Sequence, residues 1–158
     1  MGHAVSARTL VVVRHANAGQ VPGLLDTERP LTPGGERDAR AAGEEIRRLA
    51  PELVLCSPSV RTRRTAELLG LDAPVEIERD IYEAYPDDLL GVLRRTDDEI
   101  ASVVLVGHNP GVHELVVALT DARLDGFPPC AYAVIELDVP SWEELAPGSG
   151  RLEQMSRP

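Results

Sequence analysis

Three short segments of this 158-residue chain bring together residue types that handle anions. Arg14-His15 closes the apolar run 10–13, Ser57-Pro58-Ser59-Val60-Arg61 follows the run 53–56, and Gly107-His108-Asn109-Pro110 follows the run 102–106. Guanidinium groups present paired N–H donors to tetrahedral oxyanions, and an imidazole can donate a proton, accept one or attack. A helix that starts just after such a segment turns free backbone N–H groups toward the same anion. Two arginines, two histidines and two helix starts therefore suit a tetrahedral oxyanion, most simply a phosphoryl group. Alone, each of these side chains reads as an ordinary surface or salt-bridged residue; their shared placement singles them out. Arg63 and Arg64 read as solvated helix charges, with Arg64 near enough to Arg61 to widen a positive rim. His3 and His113 read as structural or surface residues, and Asn109 as a helix cap rather than a ligand.

The elements that must position these residues are legible from hydrophobic pattern and stop signals. The β-branched runs 10–13, 53–56 and 102–106 are too short for helices and suit buried strands; 75–77, 131–137 and a faint 152–155 complete the strand set. Thr32-Pro33 opens a helix that buries Ala39, Ala42, Ile46 and Leu49 and is stopped by Pro51. Glu36–Arg40 and Glu44–Arg48 are expected as i,i+4 pairs on its wet side. Ser57-Pro58 opens a second helix to about Leu69, a third spans 86–95, and Asn109-Pro110 caps a fourth that runs to about Thr120. Strands alternating with helices predict an α/β fold, three layers α/β/α around a mostly parallel sheet. Residues 1–8 read as a flexible tail and 9–158 as one domain. In such sheets the functional crevice lies outside the carboxyl ends of the strands, which is where Arg14, His15, Arg61 and His108 fall.

Composition removes competing chemistries. At 43% hydrophobic and 27% charged, the chain can build a packed core. All 16 basic residues are Arg, so a P-loop lysine and a Schiff-base lysine are both excluded. A net charge of −10 has the wrong sign for a nucleic-acid binder. Two cysteines make neither a disulfide scaffold nor a zinc cluster, and no metal site or cofactor is expected. With no stretch near the ~18 apolar residues of a membrane span and no apolar leader core, the expectation is a cytoplasmic domain without membrane contact.

The run VVVRHANAG resembles the strand-then-R-H-G signature of the histidine phosphatase superfamily, with Ala16 where the wider superfamily has Gly. RPLTPGGERDA, LCSPSVRTRRTAE and VLVGHNPGVHELV are similar, in order and spacing, to the blocks that follow. The short length, the RPLT and SP-x-x-R-x-x-x-T blocks and the late strand FPPCAYAVIELD look most like the small bacterial branch of phosphohistidine phosphatases similar to SixA, over roughly residues 9–138. The resemblance implies a phosphoglycerate mutase-like fold and a metal-independent phosphatase. His15 is then the nucleophile that forms a phosphohistidine, with its other ring nitrogen held by a local acceptor such as a backbone carbonyl. Arg14, Arg61 and His108 bind the phosphoryl oxygens, and Glu83, in IYEAYPDD, lies where the superfamily's proton-donating carboxylate falls. The implied partner is a phosphorylated protein carrying phosphohistidine, with a small phosphate ester as the alternative.

Three rivals share parts of this pattern. Cys56 and Arg61 make C-x4-R at a strand-to-helix turn, one residue short of the C-x5-R cradle of cysteine phosphatases; Cys56 reads better as a buried small hydrophobe. A mutase-type transferase needs covering insertions that 158 residues leave little room for. A non-catalytic phosphate- or phosphopeptide-binding module on the same fold has no need of a nucleophile. Only five aromatic residues make a stacking platform for a base or sugar improbable.

Overall fold

The computed structural model of the chain describes residues 7–158. Most of the expected tail, and His3 with it, falls outside the described residues. Arg8 is already a buried member of the first strand, so the ordered chain starts earlier than residue 9. Strands β1 (Arg8–Arg14), β2 (Leu53–Cys56), β3 (Val75–Ile77), β4 (Ser102–Gly107), β5 (Tyr132–Leu137) and β6 (Gly150–Ser156) form one sheet in the order β3-β2-β4-β1-β5-β6. The first four in that order run parallel; β5 is antiparallel to β1, and β6 to β5. The faint strand expected at 152–155 is thus a seven-residue edge strand, held mainly by its pairing with β5 rather than by its own apolar content.

Helices α1 (Pro33–Ile46), α2 (Val60–Leu69), α3 (Pro86–Arg94) and α4 (Gly111–Thr120) cover the two faces. Alternation along the strands divides the core. Val11, Val13, Val54, Cys56, Val104 and Val106 pack with residues of α1 and α2, whereas Leu10, Val12, Leu53, Leu55, Val103 and Leu105 pack with α3 and α4. Three layers follow from strands that are apolar on both sides. Thr32 caps α1 by accepting from the Gly35 amide at 3.0 Å. Ser59, not Ser57, caps α2, accepting from the Thr62 amide. The α-helical hydrogen bonding of α1 ends before Pro51: a 3-10 turn at Arg47–Leu49 leads to Ala50 in a left-handed conformation, and Leu49 is left exposed. The i,i+4 pairs expected on α1 give way to other partners. Glu36 reaches Arg64 of α2 at 3.2 Å, and Arg48 pairs with Glu45.

Register sets the height of the strand ends. Arg14 lies opposite Gly107, and Cys56 opposite Val106, so β1, β2 and β4 finish level. His15, Ser57 and His108 therefore leave the sheet from one edge.

Candidate active site

His15 follows directly from β1 and is fixed through its backbone on several sides. Its amide donates to Gly107 O at 3.0 Å, the Cys130 amide donates to its carbonyl at 3.0 Å, and the Ala16 amide donates to Thr65 Oγ1 at 2.9 Å. The Thr65 hydroxyl in turn donates to Arg61 O on the preceding turn of α2. The ring is set by its own neighbour: Nδ1–H donates to Ala16 O at 2.8 Å, which leaves Nε2 with its lone pair. Burial, and then the charges of Arg61, Arg14 and Arg29, lower the His15 pKa to about 4, so the ring is neutral at pH 7.

Around it stand the residues singled out from the sequence. The His108 ring lies with its centroid 5.4 Å from that of His15. Burial and Arg61 push its pKa down to about 3. Arg61 Nη2 donates to His108 Nδ1 at 3.3 Å, and His108 Nε2–H consequently donates to Ser57 Oγ at 2.7 Å. Ser57, fully buried, acquires a role that no spacing announced: it receives the donor expected to serve a phosphoryl oxygen. Arg14 donates through Nη1 to Phe127 O at 3.1 Å. Its charge is destabilised by burial and by Arg61. Among the described residues, Arg14 Nε and Arg61 Nε are buried without a hydrogen-bond partner. Buried cationic donors left unpaired are costly to the fold.

Glu83 is placed differently. It is exposed, has a positive φ of 52°, and no hydrogen bond among the described residues ties its side chain to His15, Arg14, Arg61 or His108. The carboxylate that does reach the cluster is Asp26. Its Oδ2 accepts from Arg61 Nη2 at 3.0 Å and from the Tyr82 hydroxyl at 2.5 Å, and its Oδ1 from Arg29 Nη1 at 3.2 Å. The Tyr82 hydrogen bond first, then those from Arg61 and Arg29, hold this carboxyl well below the usual range. The Tyr82 ring also meets His108 edge-on, centroids 5.4 Å apart. Asp26, Arg29 and Tyr82 carry no sequence signal beyond their loops; one carboxylate among 26 acidic residues has no spacing to betray it.

Two further readings are corrected, those of Asn109 and Arg64, and the reading of Cys56 as a buried residue agrees with the structure. Asn109 caps no helix; its Nδ2 donates at 2.8 Å to Phe127 O, the carbonyl that Arg14 also uses, and α4 has Pro110 at its cap position. Arg64 is not a free rim charge, since it pairs with Glu36 and Glu67. Cys56 is buried, its Sγ donates to Ser57 O, and burial pushes its thiol up to about 12. A thiol that stays protonated at neutral pH is a poor nucleophile, which removes the basis for cysteine chemistry.

The profile of the histidine phosphatase superfamily (branch 1) matches residues 10–103. An uncharacterised protein of Mycobacterium tuberculosis is 32% identical over 152 residues, covering 89% of this chain and 96% of that protein. Among solved structures, a Nakamurella multipartitia chain provisionally named phosphohistidine phosphatase SixA superposes with a TM-score of 0.89 at 32% identity, covering 96% of each chain. A protein histidine phosphatase SixA complexed with tungstate gives a TM-score of 0.78 at 26% identity, over 93% of this chain and 95% of that one. The mixed six-stranded sheet between two helical layers is the phosphoglycerate mutase-like architecture these neighbours share. By the profile match over more than half of its length, the chain belongs to branch 1 of the histidine phosphatase superfamily.

Proposed function

We propose that this phosphatase works through a covalent phosphohistidine on His15 and acts on phosphohistidine carried by a protein. The observation that carries the mechanism is the orientation of His15, with Nδ1–H given to Ala16 O and Nε2 bare beside two arginines. Nε2 attacks phosphorus as the bond to the leaving group breaks, and the leaving group departs with the electron pair. Arg14 and Arg61 neutralise the non-bridging oxygens, their buried Nε–H groups supplying donors not spent elsewhere. His108 turns its Nε2–H from Ser57 to a third oxygen. Water then attacks the phosphohistidine, releasing inorganic phosphate and restoring neutral His15. With two guanidinium groups on the phosphoryl oxygens, no metal is needed for charge neutralisation, and turnover is expected to survive EDTA.

Two considerations support a protein-borne phosphohistidine. Structural neighbours at 32%, 27% and 26% identity bear SixA names. A phosphoramidate with a protonated imidazole leaving group also needs little acid help, and Glu83 stands exposed without a tie to the cluster. A small phosphate ester is the second reading; its leaving oxygen needs a proton donor, the role the family resemblance gives to Glu83, which is exposed and untied to the cluster.

Phosphoenzyme trapping tests the mechanism. A phosphoryl label should be trapped on wild type as an acid-labile, base-stable adduct and should be lost in His15→Ala, with turnover down by at least 10³-fold and an unchanged circular dichroism spectrum. A label retained in His15→Ala removes the mechanism. The substrate is tested separately, by comparing kcat/KM for a phosphohistidine-bearing phosphotransfer domain with small sugar phosphates. A tenfold preference for the small ester, about 1.4 kcal/mol in transition-state binding, reverses the substrate assignment and leaves His15 in place.

A further inference from the structure

Among the described residues, Asp26 is the carboxylate hydrogen-bonded to Arg61, one of the two arginines assigned to the phosphoryl group. Arg61 Nη2 donates to Asp26 Oδ2 at 3.0 Å and to His108 Nδ1 at 3.3 Å, and Arg61 Nη1 donates to Asp26 O at 2.7 Å. The Asp26 side chain is 50% exposed, whereas that of Arg61 is 8% exposed, so the carboxylate sits on the solvent side of the guanidinium. Three donors hold it there: Arg61, Arg29 and the Tyr82 hydroxyl. In-line displacement puts the leaving group opposite the attacking Nε2 of His15. His15 is buried at the sheet edge, so a leaving group departs toward solvent, and Asp26 stands on the solvent side of Arg61.

We infer that Asp26 is a specificity-determining residue, favouring phosphoryl donors whose leaving group presents an N–H or a positive charge and rejecting leaving groups that carry a negative charge. The inference rests on the proposed His15 mechanism and deepens its substrate class. In a phosphoimidazole, the ring nitrogen not bonded to phosphorus carries a proton. Asp26 accepts a hydrogen bond from that N–H and keeps the proton in place. The P–N bond to the substrate ring then breaks with its electron pair going to the ring nitrogen, so the ring leaves as neutral imidazole while the new P–N bond forms at His15. A carboxylate or a second phosphate on the leaving group meets the Asp26 charge instead, at a mouth where like charges are poorly compensated.

The experiment compares kcat/KM for phosphoimidazole with that for 3-phosphoglycerate, in wild type and in Asp26→Asn. Asparagine keeps the shape and loses the charge. A purely structural role, tethering the 26–28 turn to α2, lowers both values together; freeing Arg61 of its internal anion raises both together. Only a charge that reads the leaving group moves their ratio. The ratio is expected to fall at least tenfold in Asp26→Asn, through a loss on phosphoimidazole and a gain on 3-phosphoglycerate. Tyr82→Phe, which removes one of the donors on Asp26, is expected to move the ratio the same way by a smaller factor. A ratio that changes less than fivefold in Asp26→Asn overturns the inference. If Asp26→Asn does not fold, the Tyr82→Phe ratio decides, with a change under twofold overturning it. Should wild type prefer 3-phosphoglycerate while Asp26→Asn still shifts the ratio, the phosphohistidine assignment fails and the role of Asp26 stands.

Discussion

A nucleophilic histidine has to be neutral and must hold one face still, and both conditions are met by short-range contacts of His15. The donor on Nδ1 is absorbed by the adjacent carbonyl of Ala16, while burial and three arginines keep the ring unprotonated down to about pH 4. The acid limb of kcat/KM due to the free enzyme is therefore expected near pH 4, not at the pH 6.5 of an unperturbed imidazole. A pH profile measured with an aryl phosphate checks this, after correction for ionisation of the substrate itself. Cys56→Ser is expected to retain activity within about threefold, because its thiol is buried and protonated and donates to the Ser57 carbonyl; loss of the phosphoenzyme in this variant contradicts the assignment. At this scale the sequence was legible where chemistry follows a strand end. Arg14, His15, Arg61 and His108, read from their placement after apolar runs, are side chains that the fold brings together at one sheet edge. Asp26, Tyr82 and Ser57 could not be read that way, because their contacts span 35, 56 and 51 positions of chain, which no local pattern encodes.

Helices and strands set how closely these residues approach. Gly111 opens α4 just after the His108 segment, and a Cβ there would strike the backbone oxygen of Ala84, close in sequence to Tyr82. Gly111→Ala is expected to push α4 and the 81–85 segment apart, costing roughly 1–3 kcal/mol and lowering Tm by several degrees. Activity is expected to fall further than folding does, because His108 and Tyr82 sit on the two sides of that contact. Thermal unfolding alongside kcat/KM separates the two effects, and an unchanged Tm contradicts the close packing. Element type was readable from the β-branched runs and from the caps at Thr32 and Ser59, although the second cap lies two residues later than expected. The end of α1 was misread because Pro51 supplies an obvious stop, whereas the chain has already tightened into a 3-10 turn at Arg47. The surface pairs of α1 were misread for a different reason. An i,i+4 pair on a wet face is worth only a few tenths of a kcal/mol, so packing of α2 alongside redirects Glu36 to Arg64.

For the molecule as a whole, two histidines buried without charge link the site to stability. Folded-state pKa values of about 4 for His15 and about 3 for His108 lie below the unfolded value of 6.5. Between those limits the unfolded chain binds more protons than the folded one, so stability is fully present above pH 6.5 and declines as pH falls toward 4. The loss from His15 alone is on the order of 2–3 kcal/mol. Urea denaturation at pH 8, 6.5 and 5 is expected to show this decline, and His15→Asn a shallower one; parallel profiles contradict the burial of a neutral ring. The layer order was legible because every central strand is apolar on both faces. The reversal of β5 and the pairing of β6 were less so, since antiparallel neighbours at a sheet edge leave no distinct mark in composition.

That reversal of β5 gives His15 and Asp26 unlike surroundings. By entering beside β1, the turn before β5 brings the Cys130 amide onto the carbonyls of Arg14 and His15, while the His15 amide is already given to Gly107. The proposed nucleophile is thus stitched into the sheet from both flanks, where opening is expected to cost as much as in the core. Asp26 stands instead in a segment with Val21, Leu24 and Leu25 exposed and no buried residue in its 3-10 turn. In amide exchange, His15 should decay with the slowest class in the protein and the 21–28 segment with the fastest. Catalytic precision and substrate admission would then be set on separate clocks, one by the lifetime of the sheet and the other by the lifetime of a loop.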